Sequence, residues 1–376
     1  MIYLDYCATT PVNEEVLETF IKVTKEYIGN PNSLHRLGHD TKKIIDASTK
    51  QIADLLKVRE SEVIYTSGAT EANNLAIKGV ALKYQNRGKH ILTSPLEHSS
   101  VLVPLLYLES KYNYEIEYLS LDDDGRIDLE DLKNKLRKDT VLVSVSSLNS
   151  EVGIVQPIQE IANIVKQNKI TKLHSDMTQH IGKENIDLSN IDLVTFAPQK
   201  FFGMKGIGVL IKKENIELEP LIHGGKSTTE FRSGTPAGPL IASTAKALRI
   251  ALTDIDKKHQ YVEELNQYLR DNLKIDGIHI NSNEWATPYI LNLSIGHIRP
   301  ETMLHALEEE NIYISTQTAC SKGGRSESVY AVTKNEKYAK HSIRISLSYL
   351  TTKEELDRFL EVFRQKYEKL NTLYVN

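Results

Sequence analysis

Short runs of apolar residues alternate along the first two thirds of the chain with longer segments in which apolar residues recur every three or four positions. The short runs are rich in Val, Ile and Leu, which is typical of strands buried on both faces of a sheet. They predict strands at 62–68, 89–95, 140–147, 171–176, 192–198 and 206–213. The periodic segments at 70–85 and 156–168 predict helices. This alternation predicts an α/β fold with a mostly parallel sheet and helices on both of its faces.

The pattern changes after about residue 255. A polar amphipathic helix is predicted at 257–273, and shorter apolar strands follow at 288–296 and 341–348. These elements predict a smaller α+β domain. We therefore predict a large domain at 1–255 and a small C-terminal domain at 256–376. We expect about the first 15 residues to pack on the small domain.

The composition is that of an ordinary globular protein, with 376 residues of which 40% are hydrophobic and 26% charged. A net charge of −4 gives no electrostatic reason to expect direct binding of nucleic acid. No apolar run reaches the roughly 18 residues of a membrane span, and the first residues lack the pattern of a secretory signal. The two cysteines, Cys7 and Cys320, make no disulfide framework. We expect a cytoplasmic protein with reduced thiols and no membrane contact.

Polar residues come directly after two of the predicted strands. Lys200 follows the strand at 192–198, and Asp176 ends the strand at 171–176. Side chains at the carboxyl ends of parallel strands face the crevice where such folds bind ligands. Burial makes a lysine amine nucleophilic, and pyridoxal 5'-phosphate (PLP) enzymes pair such a lysine with an Asp at the pyridine nitrogen. Taken by itself, each residue has a simpler interpretation: Lys200 could be a surface lysine, and Asp176 could cap the next helix.

Three further segments carry candidate chemistry. The turn "TSGATEANN" at 66–74 places the backbone of Ala69 and the hydroxyl of Thr70 at a helix start, where a phosphate can bind. It matches neither the Walker loop nor the dinucleotide fingerprint. His98, in a polar loop, can stack on a flat cofactor or move protons. Arg344 lies in an apolar strand and suits a substrate carboxylate or an internal ion pair.

Cys320 lies in "STQTACSKGGRSES", residues 315–328, among Ser, Thr, Gly, Lys and Arg. Structural cysteines are usually buried among apolar side chains. The setting therefore predicts a thiol in a mobile, hydrated loop, and the alternative is a chance surface thiol.

The order of the phosphate turn, His98, Asp176, Lys200, Cys320 and Arg344 is specific as a set. Together with "YLDYCATTPV", "GNPNSLHRLG", "TSGATEANNLAIKG", "EHSSVL", "NSEVGIVQPI", "HSDMTQHIGK", "KGIGVL", "FRSGT", "TACS" and "IRISLS", it resembles one family. That family is the NifS/IscS-like cysteine desulfurases, which are PLP enzymes of fold type I in the class V aminotransferase group. The resemblance covers essentially the whole chain.

The resemblance implies the residues that hold PLP. Lys200 would form the Schiff base with the cofactor, Asp176 would keep the pyridine nitrogen protonated, and Gln179 would hydrogen-bond the ring hydroxyl. His98 would lie over the ring. Thr70 and the neighbouring backbone, including that of Ala69, would hold the phosphate, and no metal site is implied.

The resemblance also implies the substrate and the partners. Arg344 would bind the carboxylate of L-cysteine, and the thiolate of Cys320 would take the substrate sulfur as a persulfide for an acceptor protein. Lys322 and Arg325 would favour that thiolate. Thr235 would reach the phosphate in a second subunit, which implies a homodimer.

Several positions depart from the family's commonest pattern. Ala197 cannot offer the hydroxyl that Ser supplies to the phosphate, although the amide of Gln199 can donate. Asn149 would contact the substrate, and Ser150 stands where a second Asn is usual near the cofactor. Lys226 replaces a glycine and could supply phosphate charge or touch an acceptor. These changes put PLP affinity and turnover in question.

Three functional classes follow from these residues. The first is a desulfurase that supplies sulfur to iron–sulfur cluster assembly or to tRNA or cofactor thiolation. The second is another PLP enzyme, such as a selenocysteine lyase or an aminotransferase. The third is a catalytically weakened sulfur-transfer scaffold. Cys7 is interpreted as a packed small residue without a redox role.

Overall fold

The computed structural model describes residues 1–225, 228–316 and 324–375, and of 373–375 the backbone alone. Within these ranges the strands are β1 (Ile2–Tyr3), β2 (Val63–Thr66), β3 (His90–Thr93), β4 (Glu115–Tyr118), β5 (Thr140–Ser144), β6 (Lys172–Asp176), β7 (Leu193–Phe196), β8 (Gly208–Lys212), β9 (Ile278–Ile280), β10 (Ile290–Ile295), β11 (Ile312–Tyr313) and β12 (Ser342–Ser346). The helices are α1 (Glu14–Glu26), α2 (Arg36–Leu56), α3 (Ala69–Tyr84), α4 (Ser99–Tyr112), α5 (Leu129–Lys135), α6 (Ile158–Val165), α7 (Gly238–Leu252), α8 (Ile255–Asn272), α9 (Pro300–Glu308), α10 (Glu327–Thr333), α11 (Glu336–Lys340) and α12 (Lys353–Val375). Short 3₁₀ turns occur at Glu60–Glu62 and Pro198–Lys200.

The large sheet has seven strands in the order β2-β8-β7-β6-β5-β3-β4. Strands β4, β3, β5, β6 and β7 run parallel, and β8 runs antiparallel to both of its neighbours. The α/β fold with a mostly parallel sheet is therefore confirmed. The pattern did not predict β4, because this edge strand is partly exposed and reads "EIEY" rather than as an apolar run.

Helices cover both faces of this sheet. Successive residues of a strand point to opposite faces, so each strand packs on both layers of helices. Val209 and Ile211 of β8 belong to the hydrophobic cluster that packs on α1, α2, α6 and α7. Leu210, between them, belongs to the cluster on α3 and α4. Burial on both faces explains the nearly continuous apolar strands of the sequence.

A second, smaller sheet has the antiparallel order β12-β10-β9. The N-terminal segment packs beside it: β1 pairs in parallel with β11 as a separate two-stranded sheet, and Leu4 and Cys7 lie in the hydrophobic cluster of this region. The last large-sheet cluster residue in sequence is Ala251, and α8 begins at Ile255. The domain boundary near residue 255 stays our interpretation of these clusters.

The chain ends with its longest helix, the 23-residue α12. Leu356, Phe359, Leu360 and Phe363 of this helix are buried against the small sheet, and charged residues occupy much of the rest. Among the residues described, no helix is both long enough and apolar enough to cross a membrane.

Candidate active site

A cavity of about 630 Å³ lies at the edge of the large sheet where the carboxyl ends of its parallel strands meet. Its wall includes Asp176 at the end of β6, Lys200 after β7 and Thr70 in the first turn of α3. Arg344 of β12 closes the cavity from the small sheet. The sequence separates these residues by up to 274 positions (344 − 70), and the fold brings them into one site.

The start of α3 provides an anion site. Ala69 and Thr70 line the cavity, and the residue at the N-cap of this helix is Gly68, which has no side chain to cap the first turn. Gly208, at the start of β8, makes the turn possible. A Cβ there would lie 2.3 Å from the carbonyl carbon of Gly68. Uncapped N–H groups at a helix start favour an anion such as a phosphate.

Asp176 is held at both carboxylate oxygens and is only 8% exposed. Its Oδ1 accepts from the backbone N–H of Thr178 at 2.9 Å, and its Oδ2 accepts from Nδ2 of Asn73 at 2.8 Å. Each oxygen keeps a further lone pair, so the oriented carboxylate can accept from a ring N–H in the cavity.

The amine of Lys200 is held by two carbonyl groups of the N-terminal segment. Nζ donates to the backbone oxygen of Cys7 at 2.8 Å and to that of Ala8 at 2.7 Å. Burial lowers the pKa of Lys200 to about 8, and the nearby cations Lys183 and Arg344 act in the same direction. The amine is therefore partly unprotonated near neutral pH, as a nucleophilic lysine requires.

Gln179 lines the same cavity, and both ends of its amide are engaged. Oε1 accepts from Nζ of Lys183 at 2.6 Å, and Nε2 donates to the oxygen of Cys7 at 2.9 Å. Lys183 is buried, and burial lowers the pKa of its amine. Because Nε2 carries two hydrogens and uses one on Cys7, its second hydrogen is left for an acceptor in the cavity.

His98 stands before α4 as its N-cap and lines the cavity with an exposed ring. Its Nδ1 accepts from the backbone N–H of Ser100 at 3.1 Å and lies 2.8 Å from Oγ of Ser100. This cap orients the imidazole, so its face is available to a flat ligand.

Arg344 is 5% exposed, and two of its three nitrogen atoms have partners. Nη1 donates to the backbone oxygen of Ser150, and Nη2 to Oδ1 of Asp5, each at 2.8 Å. Nε is buried with no partner among the described residues. A guanidinium whose two terminal nitrogens are anchored and whose Nε is unpaired has one donor left for a small carboxylate.

The positions that depart from the family pattern fall at different places. Ala197 is buried directly after β7, and Gln199 lines the cavity. The backbone oxygen of Gln199 accepts from both the N–H and the hydroxyl of Thr10, each at 3.0 Å. Ser150 also lines the cavity, and its carbonyl holds Arg344.

Asn149 is not among the residues that line the cavity. Its Nδ2 donates to the oxygen of Leu96 and to Oγ of Ser328, and its Oδ1 accepts from the N–H groups of Glu151 and Val152. Two of these four bonds stay within its own loop and two reach other segments. Together they occupy its hydrogen-bonding groups, so the predicted substrate contact of Asn149 has no support from this geometry.

Thr235 is exposed and lies outside the wall of its own cavity. Cys320, Lys322 and Lys226 lie outside the described residues. Arg325, expected to favour the thiolate of Cys320, is described: its guanidinium pairs with Glu327 at 3.0 Å and with Glu336 at 2.5 Å. Much of its charge is therefore neutralised by these two carboxylates.

The sequence did not reveal four polar residues that support the site. Asp5 and Lys183 hold Arg344 and Gln179, and Asn73 and Ser100 connect Asp176 with His98. The signal for Asn73 is its spacing, since it follows Thr70 by three positions on one helix face. Lys183 and Ser100 also lie close in sequence to the residues they hold, four positions after Gln179 and two after His98. Asp5 acts across 339 positions, a separation that no local pattern indicates.

The fold and the site define a member of the class V aminotransferases, since the family model described as Aminotransferase class-V matches residues 2–359. Within that family the chain belongs to the NifS/IscS-like cysteine desulfurases. It is 38% identical over 379 residues to cysteine desulfurase IscS of Dictyoglomus turgidum, covering 99% of this chain and 96% of that protein.

Solved structures agree with this assignment. A NifS-like protein superposes with a TM-score of 0.92 at 35% identity, over 99% of each chain. A structure described as SspA in complex with cysteine superposes with a TM-score of 0.82 at 30% identity, over 94% of this chain and 100% of that one. The predicted family and enzyme class are confirmed.

Proposed function

We propose that this protein uses PLP to convert L-cysteine to L-alanine, and that the substrate sulfur stays on Cys320 as a persulfide for an acceptor protein. One observation supports this most directly: the Lys200 amine with a pKa of about 8, the Asp176 carboxylate and Arg344, whose Nε is unpaired among the described residues, share one cavity. A structural relative described in complex with cysteine supports the substrate.

The residues of the cavity fit PLP. The uncapped start of α3 suits its phosphate, Asp176 its pyridine nitrogen and Gln179 its ring hydroxyl. Thr178 adds a buried Oγ1 that has no partner among the described residues. When bound, PLP withdraws electrons from the α-carbon of an amino-acid substrate.

Three side chains of the cavity would then have separate roles in the reaction. Arg344 binds the substrate carboxylate and so orients the amino acid. Lys200 moves a proton at the substrate α-carbon, and His98 carries a proton beside it. The anchored end of Arg344 keeps that orientation reproducible, since Asp5 and Ser150 hold it.

Sulfur transfer is assigned to Cys320. Its thiolate attacks the sulfur of the bound cysteine, so a sulfur–sulfur bond forms and the substrate carbon–sulfur bond breaks. The released electron pair stays on the substrate carbon, which takes up a proton and leaves as L-alanine. The acceptor protein then receives the outer sulfur in iron–sulfur cluster assembly or in tRNA or cofactor thiolation.

A cytoplasmic homodimer is part of the proposal. Apolar side chains are exposed on α1, on α2 and on the segment between them: Leu17, Ile21, Ile28, Leu34 and Leu37. Val103, Leu106 and Tyr107 of α4 are exposed as well. Covering them against a second copy would remove this surface from water and leave Thr235 free to reach the partner's phosphate. Sedimentation of the purified protein at twice the monomer mass supports this arrangement, and a monomer contradicts it.

The activity is tested with purified protein loaded with PLP and supplied with L-cysteine. We expect alanine and, with a reducing thiol present, one sulfide per alanine. Release of a keto acid instead of alanine would support an aminotransferase. A strong preference for selenocysteine would support a lyase, and a protein that retains no PLP would support the scaffold hypothesis.

The lowered pKa of Lys200 predicts a shallow pH dependence of cofactor capture. An amine with a pKa of about 8 is about one-tenth neutral at pH 7 and about nine-tenths neutral at pH 9. Only the neutral amine attacks an aldehyde. The rate of Schiff-base formation by apoprotein should thus rise about tenfold over this range, against about a hundredfold for Nα-acetyl-lysine under the same conditions. A hundredfold rise for the apoprotein would show that Lys200 is unperturbed.

Arg344→Lys should weaken substrate binding more than turnover. A lysine places one ammonium where the guanidinium offers a planar edge, so we expect KM for L-cysteine to rise about tenfold and kcat to change less than threefold. Steady-state kinetics of alanine formation measure both. Arg358→Lys, on the surface of α12, is the matched control. An unchanged KM would remove Arg344 from the substrate site.

A further inference from the structure

Asn73 lies at the centre of the site's hydrogen bonds although nothing in the proposed chemistry requires it. It is fully buried on α3, three residues after Thr70 and therefore on the face that begins at the cavity. Its Nδ2 donates to Oδ2 of Asp176 at 2.8 Å and to Oγ of Ser100 at 2.8 Å. Both amide hydrogens are thus used, and each goes to a different structural element.

The chain of hydrogen bonds continues from Ser100 to His98. Oγ of Ser100 lies 2.8 Å from Nδ1 of His98. Because this oxygen accepts from Asn73, its own hydrogen is free to point at Nδ1. The backbone N–H of Ser100 also donates to Nδ1 at 3.1 Å. Nδ1 is therefore an acceptor, and the proton of a neutral ring lies on Nε2.

We propose that Asn73 and Ser100 are positioning residues that couple Asp176 to His98 as one unit. Asn73 orients the carboxylate assigned to the pyridine nitrogen, and through Ser100 it sets the tautomer of the ring assigned to the cofactor face. The unit joins three elements, α3, the end of β6 and the start of α4. The inference rests on the proposed function for the roles of Asp176 and His98.

The surroundings of Asn73 argue against a purely structural amide. Its neighbours Ala72 and Ala76 are fully buried and apolar. Its Oδ1 is buried without a partner among the described residues. A side chain that served only to fill space here would be apolar. An amide that served only to stabilise the fold would have hydrogen-bond partners at both its oxygen and its nitrogen. The role of the amide therefore lies with Nδ2, which donates to Asp176 and Ser100.

The first measurement is the dissociation constant of PLP from apoprotein, followed by visible absorbance. We expect Asn73→Ala to weaken binding about tenfold, and Asn73→Asp more, because it sets a carboxylate against that of Asp176. Gln85→Ala, exposed at the end of the same helix, is the control and should stay within about twofold.

A coupled pair has a signature that general destabilisation lacks. In an Asp176→Ala/Ser100→Ala background, Asn73→Ala should change PLP affinity less than about twofold, because both of its routes to the cofactor are already removed. The same tenfold loss in that background would overturn the positioning role. If Asn73→Ala does not fold, Asn73→Ser replaces it in both backgrounds.

The second measurement needs no cofactor. In the apoprotein labelled with ¹⁵N-histidine, the ring nitrogens of His98 should show an unprotonated Nδ1 and a protonated Nε2. Ser100→Ala should move the two shifts toward each other, Asn73→Ala should do so to a smaller extent, and Ser110→Ala on the same helix should not.

The two measurements distinguish a failure of the proposed function from a failure of the positioning role of Asn73 and Ser100. A wild-type protein that binds no PLP would end the proposed function, and the histidine spectrum alone would then decide the inference. Spectra of His98 that are identical in wild type, Ser100→Ala and Asn73→Ala would overturn it, whatever the activity.

Discussion

Cys320→Ser is expected to stop persulfide formation and to lower alanine production by at least about a hundredfold, whereas Cys7→Ser keeps alanine production within about threefold. A serine hydroxyl stays protonated near neutral pH and is a poor nucleophile toward sulfur, so the carbon–sulfur bond of the substrate is not broken. Cys7 is 2% exposed and packs in the hydrophobic cluster of the small sheet. Alanine is measured by amino-acid analysis, and the persulfide by mass spectrometry of the two cysteine peptides.

The two thiols serve as controls for each other, since they are the only cysteines of the chain. Wild-type alanine production by Cys320→Ser would mean that the reaction needs no thiol nucleophile. The aminotransferase or lyase hypothesis would then replace the desulfurase. Equal losses in both variants would instead place Cys7, which lines the cavity, in the chemistry.

Lys200→Met is expected to abolish the covalently bound cofactor and to lower turnover at least about a thousandfold. Methionine approximates the length of the lysine side chain without its amine, so the cavity keeps its shape. Lys205→Met is the matched control, because Lys205 lies in the same segment and is exposed. Reduction with borohydride followed by peptide mapping shows which lysine carries PLP. Labelling of Lys205, or of Lys183, would contradict the assignment.

Loss of the Lys200 amine should not unfold the apoprotein. Its folded pKa of about 8 lies below the ordinary 10.5, so the folded state disfavours the protonated amine. That penalty, at most about 3 kcal/mol, is fully present below pH 8 and fades as the pH rises to 10.5. Lys200→Met removes it along with two hydrogen bonds to carbonyl oxygens. The unfolding free energy of Lys200→Met minus that of wild type should therefore be largest at or below pH 7, where the variant gains most, and should decrease above pH 8.

Much of the large sheet could be read from the sequence, because burial on both faces forces whole strands to be apolar. Strands β2, β3, β5, β6, β7 and β8 all fall inside the predicted segments. Edge strand β4 escaped prediction, since its four side chains are exposed or half-buried and two glutamates break the apolar run. The same reasoning placed Asp176 and Lys200 at strand ends, where ligands bind in such folds.

The hydrogen-bonding partners of the site residues could be identified only from the tertiary structure. Asp5 and Arg344 are 339 positions apart, and Lys200 bonds to carbonyl groups 192 and 193 positions away. No local pattern records such pairs, because a side chain's partner across a fold leaves no periodic signal. Asn149 is not among the residues that line the cavity, and its hydrogen bonds go to Leu96, to Ser328 and within its own loop. Its predicted contact with the substrate stays a prediction.

The sequence by itself determined the class of fold and the family, and it supplied the candidate reactive residues, because apolar periodicity and reactive side chains are properties of local segments. The tertiary structure alone decided how those residues are oriented. The depressed pKa of Lys200 comes from burial, and the orientation of the Arg344 guanidinium comes from its anchoring by Asp5 and Ser150. The link from Asp176 to His98 comes from the meeting of three elements. Each of these depends on distance and desolvation, which exist once the chain has folded.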